Sequence, residues 1–162
     1  MSAATVREAV PGDAPRIAEV HVAVWHEAYT GRMPQSILDG MTVESRRALW
    51  DRVLTERRGV LWVAEADGVI VGFASAGASL DDPPAAMTQL YAINVLASHH
   101  GTGAGEALLR AAIGEGPASL WVLADNPRAQ AFYAKHGFTP DGAVKDDDAW
   151  GEAIREVRLV RG

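Results

Sequence analysis

The chain has 162 residues, 48% hydrophobic and 22% charged, no cysteine and a formal net charge of −6. That length and apolar content fit a single domain spanning residues 1–162, and the missing cysteines exclude disulfides, thiolate metal sites and a cysteine nucleophile. The acidic balance disfavours nucleic acid and anionic membranes as partners; with no apolar signal core and no run near the ~20 residues of a membrane span, a cytoplasmic protein is expected.

Residues 5–10 read as a first strand, followed by a Pro11-Gly12-Asp13 turn with Asp13 placed to cap a helix. Ile17, Val20, Val24, Trp25 and Ala28 recur at helical spacing and give that helix one apolar face. Residues 31–40, with Pro34 and two glycines, read as a loop or broken helix. A second helix starts at Thr42 and turns Leu49, Trp50, Val53 and Leu54 inward. Two apolar runs, 60–66 and 69–74, flank Asp67-Gly68, a strong two-residue hairpin signal.

A loop holding Asp81-Asp82-Pro83-Pro84 leads to a fourth strand near 87–95. The turn His99-His100-Gly101-Thr102-Gly103-Ala104-Gly105 then opens an alanine- and leucine-rich helix, 106–113. Residues 119–124 form a fifth strand, Asn126-Pro127 open another helix that Gly137 closes, and strands near 143–145 and 154–160 finish the chain. A hairpin start joined to a βαβ middle predicts an α+β fold, a mixed sheet of six to seven strands with about four helices on both faces.

The glycine turn is the most informative stretch. Three glycines at alternate positions remove Cβ atoms that would hold a ligand off the backbone, and the following helix aims its unpaired N–H groups and positive dipole end at the turn. Tight chain reversal alone also explains such a turn, and Glu106 stands where a GxGxxG fingerprint needs its third glycine.

The segment from Ile93 to Gly105 resembles motif A of the GNAT superfamily of N-acetyltransferases. Asn126-Pro127-Arg128-Ala129-Gln130-Ala131-Phe132-Tyr133, ending in Gly137-Phe138, is similar to that family's N…A…FY…GF segment, and a helix with Trp25 and Tyr29 before Gly31 and Pro34 is similar to a common bacterial branch. The resemblance implies a largely antiparallel sheet splayed between strands 4 and 5, with acetyl-coenzyme A as co-substrate and no metal. It implies that Ile93 and Val95 supply main-chain contacts to the pantetheine arm, and that His100, Gly101, Thr102, Gly103, Ala104 and Gly105 hold the diphosphate. Asn126 is left between capping its helix and contacting the pantetheine.

For the chemistry, the resemblance implies the Ile93 N–H as oxyanion donor and Tyr133 as general acid toward sulfur, with a core aromatic as the plainer reading of Tyr133. Trp25, Tyr29 and Gln89 are expected to border the acceptor, an amine of a small molecule or a peptide attacked directly. Gln89 stands where some members carry a glutamate base, and glutamine takes no proton at neutral pH. Glu27, His21, Asp81 and Asp82 remain as base candidates, and His100 replaces the usual arginine or glutamine at the head of the turn. Asp146-Asp147-Asp148 with Trp150 reads either as a solvated loop or as a border of the acceptor site. A homodimer is left open. A catalytically silent coenzyme A-binding module is the alternative function; a nucleotide-dependent oxidoreductase using Asp125 is disfavoured by the glycine spacing.

Overall fold

The computed structural model describes residues 3–147 and 153–162. Its strands are β1 (Thr5–Glu8), β2 (Val60–Ala66), β3 (Val69–Ala78), β4 (Thr88–Val95), β5 (Ala118–Leu123), β6 (Thr139–Asp147) and β7 (Ile154–Arg161). The helices are α1 (Ala14–Tyr29), α2 (Gln35–Gly40), α3 (Val43–Glu56), α4 (Ala104–Ile113) and α5 (Pro127–Lys135). One sheet takes the order β1-β2-β3-β4-β5-β7-β6, with β4 and β5 the parallel pair and the other neighbours antiparallel. The mixed α+β sheet is as expected. The helices number five because part of the segment read as a loop or broken helix folds into α2, whose Ile37 and Leu38 are buried.

Local chemistry explains most boundaries. Asp67 and Gly68 both take positive φ, 52° and 76°, as the tight hairpin between β2 and β3 requires. Thr42 caps α3 by accepting the Ser45 N–H at 3.1 Å. Asp13 departs from its expected role. It precedes α1, but its carboxylate accepts the Val10 N–H at 2.8 Å and pairs with Arg7, so it closes the 3-10 turn Pro11–Asp13 instead.

Alternation along the strands separates two layers. Ile17 and Val20 of α1 and Trp50 of α3 pack on Leu61, Val63 and Phe73. Ala64, Val71 and Ala74, which face the other way, meet Ala104 and Leu108 of α4. Further along that second layer, Leu109, Tyr133 and Phe138 pack on Leu120, Val122 and Leu159. By the same alternation Trp121, Leu123, Glu156 and Arg158 point to the α1 side of β5 and β7.

His21 belongs to this core. It is 7% exposed, its Nδ1 accepts the Trp50 Nε1–H at 3.1 Å, and its ring lies 5.5 Å from Phe73. Burial, with Arg46 nearby, lowers its pKa to about 4. The unfolded chain binds this proton near pH 6.5 and the native protein only near 4, so the stability held above 6.5 is lost as pH falls through that window. The full loss is about 3 kcal/mol. His21→Gln, which keeps an acceptor for Trp50, is therefore expected to lose about 2 kcal/mol less than wild type between about pH 7.5 and 4.5 in urea unfolding; equal losses would contradict the assignment.

Candidate active site

The site begins where two strands part. β4 and β5 share only the partners Gln89/Ser119 and Leu90/Leu120, so β4 continues from Tyr91 to Val95 without β5 beside it. On its other side β4 stays paired with β3, and the Leu96 N–H bonds Val71 O at 2.9 Å. In an antiparallel ladder the bonded pairs alternate. Leu96 and Asn94 therefore direct their main-chain groups toward β3, and Ile93 and Val95 direct theirs into the gap. A cavity of about 1030 Å³ fills that gap, walled by β4, β5, α1, the glycine turn and α5.

At its upper end lies the turn. The N–H groups of Gly101, Thr102, Gly103, Ala104 and Gly105 make no main-chain hydrogen bond among the described residues, as befits the start of a helix. Gly103, at the N-cap of α4, has φ of 87° and Gly101 has 78°, and a Cβ on either would meet no protein atom within 4 Å. Both glycines line the cavity. Ala104 turns its methyl into the core, the Thr102 hydroxyl donates to His99 O at 2.7 Å, and His100 places Nε2 3.1 Å from Val95 O. His100 thus reaches back to the splayed strand, while its main chain stays in the turn.

Two phenols occupy the floor. Tyr133, on α5, is 7% exposed and lines the cavity, and its hydroxyl has no hydrogen-bond partner among the described residues. Burial raises its pKa, with a smaller push from Tyr29, so it stays protonated at neutral pH. The Tyr29 hydroxyl accepts from Asn126 Nδ2 at 2.9 Å, and Asn126 Oδ1 accepts the Ala129 N–H at 3.1 Å. Asn126 therefore caps α5 and ties it to α1. Trp25 stands edge-on to Tyr29 with centroids 5.1 Å apart, on the same wall.

Residues 12–138 match the acetyltransferase (GNAT) family. The chain belongs to the GNAT family of acetyltransferases. Among its relatives, the uncharacterized N-acetyltransferase YuaI of Bacillus subtilis is 29% identical over 162 residues, 96% of this chain and 91% of the relative. A GCN5-related N-acetyltransferase structure from Rhodopseudomonas palustris shares the fold at a TM-score of 0.76 and 22% identity, over 100% of this chain and 97% of that one. PaiA N-acetyltransferase from Thermoplasma acidophilum, in complex with coenzyme A, does so at 0.66 and 19%, over 96% and 98%.

In this acetyltransferase the acidic residues proposed from sequence are largely committed elsewhere. The Asp81 carboxylate accepts the Trp121 Nε1–H at 3.0 and 3.2 Å and lies 3.5 Å from Arg158. Glu27 lines the cavity, but its Oε1 accepts the Ala97 N–H at 3.0 Å and fastens α1 to the end of β4. His21 is in the core. Gln89 is 6% exposed and its Oε1 accepts the Leu80 N–H at 2.8 Å, away from the cavity lining. Asp146 pairs with Arg155 across the β6–β7 ladder, and Asp148 and Trp150 lie outside the described residues.

Glu156 of β7, which the sequence reading passed over, also lines the cavity, whereas Glu27 is tied to Ala97 and Glu106 pairs with Arg110 in the first turn of α4. Its signal was a glutamate at the alternate position it shares with Arg158 in the last strand. Among the described residues no group of acids and histidines is placed to hold a metal, and no helix is long and apolar enough to cross a membrane. Asn126→Ala removes both the cap and the tie to Tyr29. It is expected to lower stability by about 1 kcal/mol in chemical denaturation; an unchanged midpoint would show that neither bond matters.

Proposed function

We propose that the protein is an acetyl-coenzyme A-dependent N-acetyltransferase that passes an acetyl group directly to a primary amine. The reading rests on one observation: the β4 edge that β5 leaves open, Ile93 with the Val95 N–H, runs straight into the free amides of the glycine turn, along one cavity. Acetyl-coenzyme A has a peptide-like arm at one end and a diphosphate at the other, and these two surfaces match them in order. An arm amide adds to the β4 edge as an extra strand would, and helix-terminal N–H groups take the diphosphate charge without a metal. The coenzyme A complex of the Thermoplasma relative is in keeping with this choice of ligand.

Bound acetyl-coenzyme A supplies an electrophilic thioester carbonyl and a thiolate leaving group. The Ile93 N–H, already aimed into the gap, donates to the carbonyl oxygen as negative charge gathers there. Tyr133, kept neutral by burial and without an internal partner, gives its hydroxyl proton at the sulfur. Trp25 and Tyr29 wall the side from which the amine approaches, and Asn126 fixes Tyr29 while capping the helix that carries Tyr133.

Calorimetry is expected to show acetyl-coenzyme A binding, and saturating ligand to raise the unfolding temperature; neither effect at millimolar ligand would end this reading. Gly103→Ala, which puts a Cβ into the cradle at a φ of 87°, is expected to weaken binding about tenfold or more. Tyr133→Phe is expected to bind normally and lose at least about tenfold in kcat, measured by thiol release. Unchanged kcat would leave Tyr133 as a packing residue.

A further inference from the structure

The acetyl-transfer reading leaves the proton on the incoming amine without a destination. Amines are mostly protonated at neutral pH, and only the neutral form attacks a carbonyl. Of the acids first considered for this proton, Glu27 and Asp81 are hydrogen-bonded elsewhere and Asp82 is exposed outside the cavity lining, and Gln89 cannot take it.

Glu156 sits near the middle of β7, opposite Leu123 of β5 and Lys145 of β6. It is half-buried and lines the same cavity as Ile93, Tyr133, Trp25 and Tyr29. Beyond burial, Glu156 adds a smaller upward push to the Tyr29 pKa, and Tyr29 to that of Tyr133. The charged or titratable groups facing Glu156 are Lys145 and Asp147 from β6 and Tyr29 from α1; its β5 partner, Leu123, carries none.

We propose, resting on the acetyl-transfer reading, that Glu156 receives the acceptor as an ammonium ion and acts as its general base, so that the acceptor is a basic, cationic primary amine. The ring faces and edges of Trp25 and Tyr29 form the wall across which such a cation approaches the carboxylate. The ammonium gives one proton to a Glu156 oxygen and becomes the neutral amine. Its nitrogen forms the new bond to the acetyl carbon and the carbon–sulfur bond breaks. Tyr133 gives its proton to sulfur, and its phenol is restored by the proton that the acylated nitrogen loses. Glu156 returns the first proton to water, so the sum is ammonium plus thioester giving amide, thiol and a proton.

Burial raises the Glu156 pKa; Lys145 opposes the shift, and Asp147 adds to it by its charge and by a hydrogen bond between the two side chains. A base with a raised pKa works at smaller thermodynamic cost against an amine, and its protonation produces an acid limb in kcat/KM above the ordinary carboxylate range of about 4.3.

The test has two arms. In protein labelled with carboxyl-13C glutamate, the Glu156 resonance, assigned by its loss in Glu156→Asp, is titrated in the wild-type chain. The second arm compares pH profiles of wild type, Glu156→Gln and Glu156→Asp with spermidine, tryptamine and a hexapeptide bearing a free α-amino group and one lysine, while calorimetry follows acetyl-coenzyme A. The expected result is a Glu156 midpoint above the ordinary carboxylate range. With the amine turned over, Glu156→Gln should lose the acid limb and about a hundredfold or more in kcat/KM, and Glu156→Asp should recover the limb, all three binding acetyl-coenzyme A alike. An ordinary midpoint, an acid limb surviving in Glu156→Gln, or no turnover of any of the three amines by wild type that binds acetyl-coenzyme A overturns the proposal and leaves cofactor binding intact. Absence of acetyl-coenzyme A binding instead overturns the acetyl-transfer reading itself. If Glu156→Gln fails to fold, the wild-type titration and Glu156→Asp still decide.

Discussion

The parting of β4 from β5 after two residue pairs is the constraint on which the rest depends. Unpaired main-chain groups inside a protein are costly, so a strand that gives up its neighbour from Tyr91 onward exposes a row of donors and acceptors that want a partner. The same parting opens the cavity and lets α1 reach across to α5 through Tyr29 and Asn126. On its other side β4 is held to β3 as far as Val95, and Glu27 fastens the chain just beyond it, so the open edge rests on a fixed support. Two further features keep the end of the gap in shape. His100 reaches back to Val95 O, and Gly103 turns the chain into α4 with its amides left free.

Electrostatics then distinguish the two ends of the cavity. The turn offers unpaired N–H groups and a helix dipole, which favour anionic charge. The opposite wall offers buried phenols and the Glu156 carboxylate, which favour a neutral proton donor and a cation. Burial drives all three shifts in the same direction, toward the protonated form, because charge is poorly solvated there. The cavity therefore has polarity along its length.

Much of this was legible in the sequence, because local chemistry wrote it. The hairpin at Asp67-Gly68, the helix start at Thr42, the cap at Asn126, and the glycines at 101 and 103 each fix a conformation with few neighbours involved. The free amides of the turn follow from the same local rule. Less legible were features set by packing. Asp13 looked like a cap for α1 and instead serves Arg7 and Val10, because the 3-10 turn comes first. Residues 35–40 carry weak helical signals and fold as α2 once Ile37 and Leu38 find the core. Asp81 and Glu27 looked available as bases until their partners, Trp121 and the Ala97 N–H, appeared from distant parts of the chain. Glu156 was missed for the converse reason: only the sheet order, which puts β7 between β5 and β6, brings it to the cavity.

Hydrogen exchange of individual main-chain amides, followed by NMR with and without acetyl-coenzyme A, tests the central claim directly. If the splayed edge and the turn hold the ligand, the amides of Ile93 and of Gly101 through Gly105 become protected together, while those of β1 and β2 do not change. Protection confined to another surface, or no change at Ile93 when the ligand is bound, would contradict it.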